Sequence, residues 1–493
     1  MSILNEVEIM NSVYMTRTKT FLKCNGKSIF AQILVWVILS ISMLSCSTNE
    51  PKEAKSQSLN ILIISVDNLG YGDLHLYNKN SPIKTPNIDH FATQGARLTG
   101  FYTASPTCTA SRAALLTGRI PQRNQLDYQL SPDQNYGIGL RHSEILIPEI
   151  IKKGAPQYAT GAFGKWNIGF APGSRPTERG FDEFFGHVSG NIDYYSHFYR
   201  KTHDLYQNTD EIFRTGEYST DLFANAAIDF IEKKSASSEP WFVYLPFNAP
   251  HFPNAASKAP GQANIWQAPD WAFAKAYGLS PDEPDPQKRY NAVVTALDHG
   301  IGNVLKALDS AGVAENTFVF LFSDNGAFRL GRPVDIGTNE PLREGGVTCW
   351  EGGLRVPAIV RWPGKVKANS VIDATLWTPD LLVASASLAG ADLPKGILLD
   401  GKDPLPVLTG KTDVSPHEAL FFQYRNHAAF RWKNWKIVRT NVDEPWQLFN
   451  IKVDLSESDN KAIGRPDLVV KLDSMFIAKQ MEINKSNGID NGI

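Results

Sequence analysis

The sequence predicts an α/β protein, with a large, mostly parallel sheet sandwiched by helices and a smaller C-terminal domain of antiparallel sheet plus helix. Two observations carry the larger part. Nearly continuous apolar runs recur as far as Asp324, as strands buried on both faces of a sheet require. Segments of helical spacing alternate with these runs, which argues for layers of helix on sheet. A third observation concerns the end of the chain. After about residue 405 the long apolar runs give way to short aromatic-rich stretches, the pattern of antiparallel strands with one packed face.

The elements follow in order. Leu59–Asp67 (LNILIISVD) is the first strand, and Asn87–Gly95 a helix. Within SPTCTASRAALLTGR, a short helix begins near Cys108 and closes at Gly118, so Arg112 lies one turn past Cys108 on the same face. Leu146–Lys153 is a helix, Tyr158–Lys165 (YATGAFGK) a strand, and Ser219–Lys233 a helix. The strand Pro240–Phe247 (PWFVYLPF), the helix Tyr290–Ser310 and the strand Asn316–Asp324 (NTFVFLFSD) complete a large domain over 59–405. In 406–493, ALFFQY, HAAFRWKNWKIVRT and PWQLFNI are strands, followed by a helix near Leu468–Met481.

Polar residues gather where the long strands end. Asp67 and Asn68 follow the first, Lys165 the second, His251 the third, and Asp324 and Asn325 the fourth. The carboxyl ends of strands in an open parallel sheet form the ligand crevice, so these residues are expected to share one site. Any one of them alone would read as a turn residue or helix cap. A net charge of -2 over 493 residues argues against a nucleic-acid partner, because no broad basic face is available.

The N-terminus reads as an export segment over 1–46. Arg17, Lys19, Lys23 and Lys27 precede an apolar stretch from about Ile29 to Leu44, which ends at Cys46. That stretch is short for a membrane span. MLSC resembles the processing site of bacterial lipoproteins, with Met43 where leucine is usual, and 47–58 is a polar tether. The expectation is a lipoprotein of the periplasm, outer membrane or cell surface, anchored to the membrane by lipid on Cys46; the alternative is cleaved secretion or an uncleaved anchor. A signal normally begins near its basic region, so residues 1–14 are expected to precede the true start. Only four cysteines are present, and Cys108 with Cys349 gives no disulfide framework, so Cys108 needs another explanation.

TPNIDHFATQGARLTGFYTASPTC leads into Cys108, and six further segments stand in the order ISVDNLGYGDL, FGKWNIG, RGFDEFFG, YLPFNAPHFP, LFSDNG and WEGGLRVPAIVRWPG. With CTASRAALLTGR they resemble the type I sulfatases of the alkaline-phosphatase superfamily, from roughly Asn60 to Asn460. The resemblance implies that a maturation enzyme oxidises Cys108 to formylglycine. One hydroxyl of its hydrated aldehyde attacks sulfur, and the second expels sulfate by reforming the aldehyde, a release step that serine lacks. Arg112 would hold the diol, Lys165 would contact sulfate, and His251 would protonate the leaving oxygen. Asp67, Asn68, Asp324, Asn325 and the modified Cys108 would surround a divalent ion, calcium in preference to magnesium, since all offer hard oxygen atoms.

Three positions depart from the family pattern. Asn68 stands where most relatives carry aspartate, which removes one charge from the ion site. Asn167 stands where a histidine helps release sulfate, and Gly346 where a lysine contacts sulfate and leaving oxygen. Lys201, Arg329, Arg343 and His142 are candidates to compensate. The resemblance and the export segment imply a sulfuric ester hydrolase acting on a sulfated glycan or oligosaccharide. The alternatives are a weak or inactive sulfatase-like protein that binds anions or glycans, and a phosphodiesterase or phosphonate hydrolase on the same scaffold. Tyr194, Tyr195, His197, Phe198 and Tyr199 either stack on sugar rings or pack their own loop.

Overall fold

The computed structural model describes residues 58–131, 138–253, 265–332 and 335–487. The export segment, and all of the tether but its last residue, lie outside the described residues. Among the described residues no helix is long and apolar enough to cross a membrane.

The first apolar run forms β1 (Asn60–Val66) at the centre of a ten-stranded sheet. The other strands of that sheet, in chain order, are β2 (Ala96–Leu98), β3 (Ala159–Lys165), β4 (Glu183–His187), β5 (Tyr206–Gln207) and β6 (Asp210–Glu211). They continue with β7 (Trp241–Pro246), β8 (Thr317–Ser323), β9 (Ala358–Arg361) and β10 (Ser370–Ile372). The spatial order is β10-β2-β9-β8-β1-β7-β3-β4-β5-β6. The five strands from β8 to β4 run parallel, and antiparallel pairs flank them on both sides.

The pleat of β1 divides its apolar residues between two cores. Leu62, Ile64 and Val66 face helices α1 (Pro86–Gln94), α4 (Ser219–Ala236) and α5 (Pro286–Ser310). Ile61 and Ile63 face α2 (Cys108–Thr117), α3 (Ile147–Gly154) and α6 (Asp380–Ala389). Each buried leucine or isoleucine stabilises this sandwich by about 1.5–3 kcal/mol, which is why the runs carry no charged residue until they reach the crevice. Four antiparallel strands follow: β11 (Ala419–Tyr424), β12 (His427–Trp432), β13 (Trp435–Arg439) and β14 (Gln447–Asn450). The last helix is α7 (Pro466–Ser486).

The four predicted long strands all form, each within a residue of its expected ends. Helix α5 begins a turn earlier than its apolar pattern, because Pro286 opens it and the Asp285 carboxylate accepts from Gln287 N at 2.8 Å. Helix α7 likewise starts at Pro466 and runs on to Ser486. The apolar pattern does not signal β2, β4 and β10, which are short.

Candidate active site

The ends of β1, β3, β7 and β8 lie on one side of the sheet, and their polar residues meet there. Asp67, Asn68, Lys165, Asn167, His251, Asp324 and Asn325 are all buried. Lys165 Nζ lies 2.5 Å from Asp67 Oδ2 with both side chains out of solvent. Asp324 Oδ1 accepts from Asn68 N at 3.2 Å. Asn325 Nδ2 donates to Asn68 Oδ1 at 2.5 Å and to the Gly326 carbonyl at 2.9 Å. These bonds leave Asp67 Oδ1 and Asn325 Oδ1 buried without a donor, and Asn68 Nδ2 without an acceptor.

Helix α2 brings the other half of the site. Cys108 is its first residue; the Thr107 side chain does not cap the helix, and the Thr109 N–H of its first turn donates instead to Gln129 Oε1 at 3.4 Å. Gly118 closes the helix in the left-handed conformation. One turn along, Arg112 puts Nε 2.9 Å and Nη2 2.7 Å from Asp324 Oδ2, while Nη1 donates to the Lys165 carbonyl at 2.9 Å. Arg112 therefore ties three elements together beneath the crevice. Two buried cations, Arg112 and Lys165, balance two buried anions, Asp67 and Asp324, which burial demands.

Burial pushes the Cys108 thiol up to about 12, with Asp67 and Asp324 adding to the shift. An unmodified thiol here stays protonated near neutral pH and is a poor nucleophile. Cys108 and Cys349 are both free and buried. A carboxylate oxygen of Asp67, the Cys108 sulfur and a ring nitrogen of His251 all lie within 4.8 Å of one another. His251 Nδ1 sits 2.6 Å from the Phe252 carbonyl, so that nitrogen carries the hydrogen and Nε2 has the lone pair in the neutral ring. Burial and the Lys165 charge lower His251 to about 3.

The positions expected to depart from the family pattern differ in their surroundings. Asn167 is fully buried at φ 56°, and neither atom of its amide has a partner. At Gly346 an added Cβ would lie 2.5 Å from Phe328 Cδ1, so the Phe328 ring fills the space that a longer side chain would enter. Phe328 meets the His251 ring edge-on at 5.7 Å. None of the four candidates to compensate lines the cleft above Cys108. Arg343 lies 3.8 Å from the centre of the Trp350 ring and donates to the Glu457 carbonyl, while His142, Lys201 and Arg329 are exposed.

That cleft has a volume of about 430 Å³ and is lined by Cys108, Gln129, Asn191, Tyr199, Arg200, His251, Phe328, Arg332, Tyr424 and Arg425, among others. Of the aromatic loop 194–199 only Tyr199 reaches it. Tyr194 stacks on Tyr218 at 5.3 Å and donates to the His251 carbonyl, and His197 is buried. Sequence reasoning passed over His187, at the end of β4 directly beside Lys165, fully buried with no hydrogen-bond partner on either ring nitrogen. The motif RGFDEFFG stops one residue short of it. A polar residue closing an apolar strand is the signal that would have found it.

A parallel sheet between two helical layers, a nucleophile position at a helix N-terminus, and paired charges at the strand ends define a hydrolase of the alkaline-phosphatase-like architecture. The family model described as Sulfatase matches residues 59–391, and that described as N-sulphoglucosamine sulphohydrolase, C-terminal, matches 348–477. N-acetylgalactosamine-6-sulfatase of Rattus norvegicus is 34% identical over 444 residues, covering 84% of this chain and 78% of the relative. Human arylsulfatase A is 32% identical over 391 residues, covering 74% of this chain and 70% of the relative. The solved structure of Ps i-CgsB superposes with a TM-score of 0.76 at 30% identity, covering 88% of this chain and 94% of that one. The chain belongs to the sulfatase family and hydrolyses sulfate esters.

Proposed function

We propose that this sulfatase removes sulfate from a sulfated glycan outside the cytoplasm, using a formylglycine made from Cys108 by a maturation enzyme. The observation that supports it most is Cys108 itself, the first residue of α2, with its sulfur within 4.8 Å of a carboxylate oxygen of Asp67 and a ring nitrogen of His251. The similarity to an N-acetylgalactosamine-6-sulfatase, and to Ps i-CgsB, solved with k-i-k-neocarrahexaose, supports a sulfated sugar as substrate. The export segment supports a lipid-anchored protein of the periplasm or cell surface.

When oxidised and hydrated, residue 108 supplies a hydroxyl nucleophile for sulfur. The chain's own residues do the rest. The backbone N–H groups at the start of α2 and the Lys165 ammonium attract sulfate oxygens. Arg112 keeps Asp324 and the end of β3 in place. His251 exchanges protons with the leaving oxygen through Nε2, because Nδ1 is held by Phe252. A bound sulfate offsets the Lys165 charge and so favours the protonated imidazole.

The buried, donor-free oxygens of Asp67 and Asn325 suit a hard divalent cation, and calcium is the proposed ion. Asp67, Asn68, Asp324 and Asn325 would hold it, and it would supply charge neutralisation for sulfate. Sulfate release should be assayed over a panel of sulfated oligosaccharides, with the mass of residue 108 confirmed. Cys108→Ala is expected to abolish release while leaving the unfolding temperature in place. Active protein carrying only unmodified Cys108 would overturn the proposal.

A further inference from the structure

A second cleft, of about 510 Å³, opens beside the one above Cys108. Three stretches of chain wall it: the short helix Pro121–Asn124 with the residues after it, strand β11 with its turn, and the last turns of α7. Arg425, in the turn joining β11 to β12, lines both clefts, so they meet at that residue. Tyr424 lines the first cleft and its neighbour Gln423 the second.

Amides dominate the walls of the second cleft. Its described lining includes Gln122, Gln125, Gln423, Gln480, Asn484 and Asn487, with one carboxylate, Asp127, and one guanidinium, Arg425, whose formal charges cancel. Hydrogen bonds among these segments fix the orientation of the amides. Gln122 Nε2 donates to the Gln423 carbonyl at 2.5 Å, Gln480 Nε2 to Gln423 Oε1 at 3.4 Å, and Asn487 Nδ2 to the Gln122 carbonyl at 2.7 Å. Each donor amide uses only its nitrogen in these bonds. Gln122 Oε1 is left out of solvent without a donor. The backbone provides an independent sign. Gln125 ends its helix at φ 61°, a left-handed value that glycine adopts more readily. A strained, non-glycine residue lining a cleft points to a function that keeps its side chain there.

A carboxamide offers donors and an acceptor in one plane, and a sugar hydroxyl both donates and accepts. An array of oriented amides therefore matches the hydroxyls of a sugar ring, at a smaller desolvation cost than charged groups would bear. We infer that this cleft binds an uncharged sugar unit of the same glycan whose sulfate is cleaved at Cys108. The inference rests on the glycan reading and narrows it to a chain that runs from Cys108 past Arg425. The substrate is then an oligosaccharide, recognised at a neutral unit as well as at its sulfate.

Calorimetric titration into Cys108→Ala protein tests this without turnover. The probes are N-acetylgalactosamine 6-sulfate alone, the same sugar extended by one or three galactose units at either end, and unsulfated galactotetraose. If the panel of sulfated oligosaccharides shows release from another sulfated sugar, that sugar takes the place of the first in the series. The longest sulfated probe is expected to bind about tenfold more tightly than the sulfated monosaccharide, the gain that one or two net hydrogen bonds provide. In the Gln480→Ala, Asn484→Ala double variant that gain is expected to fall to near unity. Gln125→Gly is expected to raise the melting temperature while reducing the gain, because glycine accepts the left-handed turn. Equal affinity for short and long sulfated probes, or a gain surviving in the double variant, overturns the cleft. Galactotetraose binding as tightly as the sulfated chain makes the cleft a separate carbohydrate site and overturns its continuity with Cys108. Sulfate release by wild-type protein from the monosaccharide, with no gain from length, leaves the glycan reading standing. Release from no sulfated sugar of the panel overturns both.

Discussion

Asn167 and Gly346, the two positions where the sequence resemblance leads one to expect a histidine and a lysine, differ in what substitution there should do. Asn167 already sits at φ 56°, a conformation histidine accepts more readily than most residues, with its amide unpartnered. Asn167→His is therefore expected to fold and to raise steady-state sulfate release by up to about 10²-fold, the lower range for one positioned acid or base. Stopped-flow product release checks this, since an initial burst in the wild type should shrink in the variant. Gly346→Lys should fail alone, because its Cβ would meet Phe328 at 2.5 Å. A loss of about 1–3 kcal/mol is expected from such overpacking, relieved when Phe328→Ala is combined with it. Asp73 provides a pH-dependent test. Its carboxylate accepts from Gly70 N, Thr338 N and the Tyr290 hydroxyl, yet burial raises it to about 6. The folded protein thus binds this proton more tightly than the unfolded chain, and stability from this group falls as pH rises from about 4 through 6. Asp73→Asn cannot ionise. Its stability relative to the wild type should accordingly rise across that window, as denaturant titrations at about pH 3.5 and 7.5, below and above it, would show.

At the level of elements, strand β13 is fastened to the large sheet's loops by a buried ion cluster. Lys436 Nζ lies 3.0 Å from Glu351 Oε1 and 2.8 Å from Glu457 Oε1, all three fully buried. Tyr102 Oη donates to Glu351 at 2.6 Å, and Arg355 lies 3.4 Å from it. Removing the lysine would leave Glu457 out of water without its cation, and Glu351 with Arg355 and Tyr102 alone. Lys436→Met is expected to cost about 3–5 kcal/mol, measured by chemical denaturation. Adding Glu457→Gln to it should recover part of that loss, since one uncompensated charge is then gone. A loss below about 1 kcal/mol would show that water reaches the cluster.

Across the whole molecule, the antiparallel sheet does not keep a core of its own. Leu420, Phe430, Leu472 and Phe476 pack in one cluster with Tyr102, Ala114, Cys349 and Trp350 from the preceding part of the chain. A chain ended at residue 405 would expose that apolar surface beside α2, the helix that carries Cys108. Such a truncation is expected to yield aggregated, inactive protein, as light scattering and sulfate assay would show. Calcium should act on the same scale. An ion bound only by the folded state stabilises it by about 2.7 kcal/mol at a hundred times its dissociation constant. Thermal unfolding with and without chelator checks this, and Asn325→Ala should remove the calcium-dependent part. Unchanged unfolding would put the ion elsewhere.

The sequence alone determined the layers and the strand ends. An apolar run such as LNILIISVD can only be a strand covered on both faces, and the first polar residue after it must lie where the sheet opens. That local rule places Asp67, Lys165 and Asp324 on one edge without any knowledge of strand order. The order itself is a long-range matter: β1 lies between β7 and β8, segments far apart in the chain, and antiparallel β9 joins β2 to β8. Short strands such as β2 and β4 carry too few residues for a period, so His187 stayed out of view. Tertiary structure alone decided what surrounds each charge. It set Arg112 on Asp324, packed the Phe328 ring against Gly346, and gathered the amides of Gln122, Gln423 and Gln480 in one cleft. Periodicity records which face of an element is buried, whereas charge pairing and side-chain packing depend on neighbours that only the folded chain brings together.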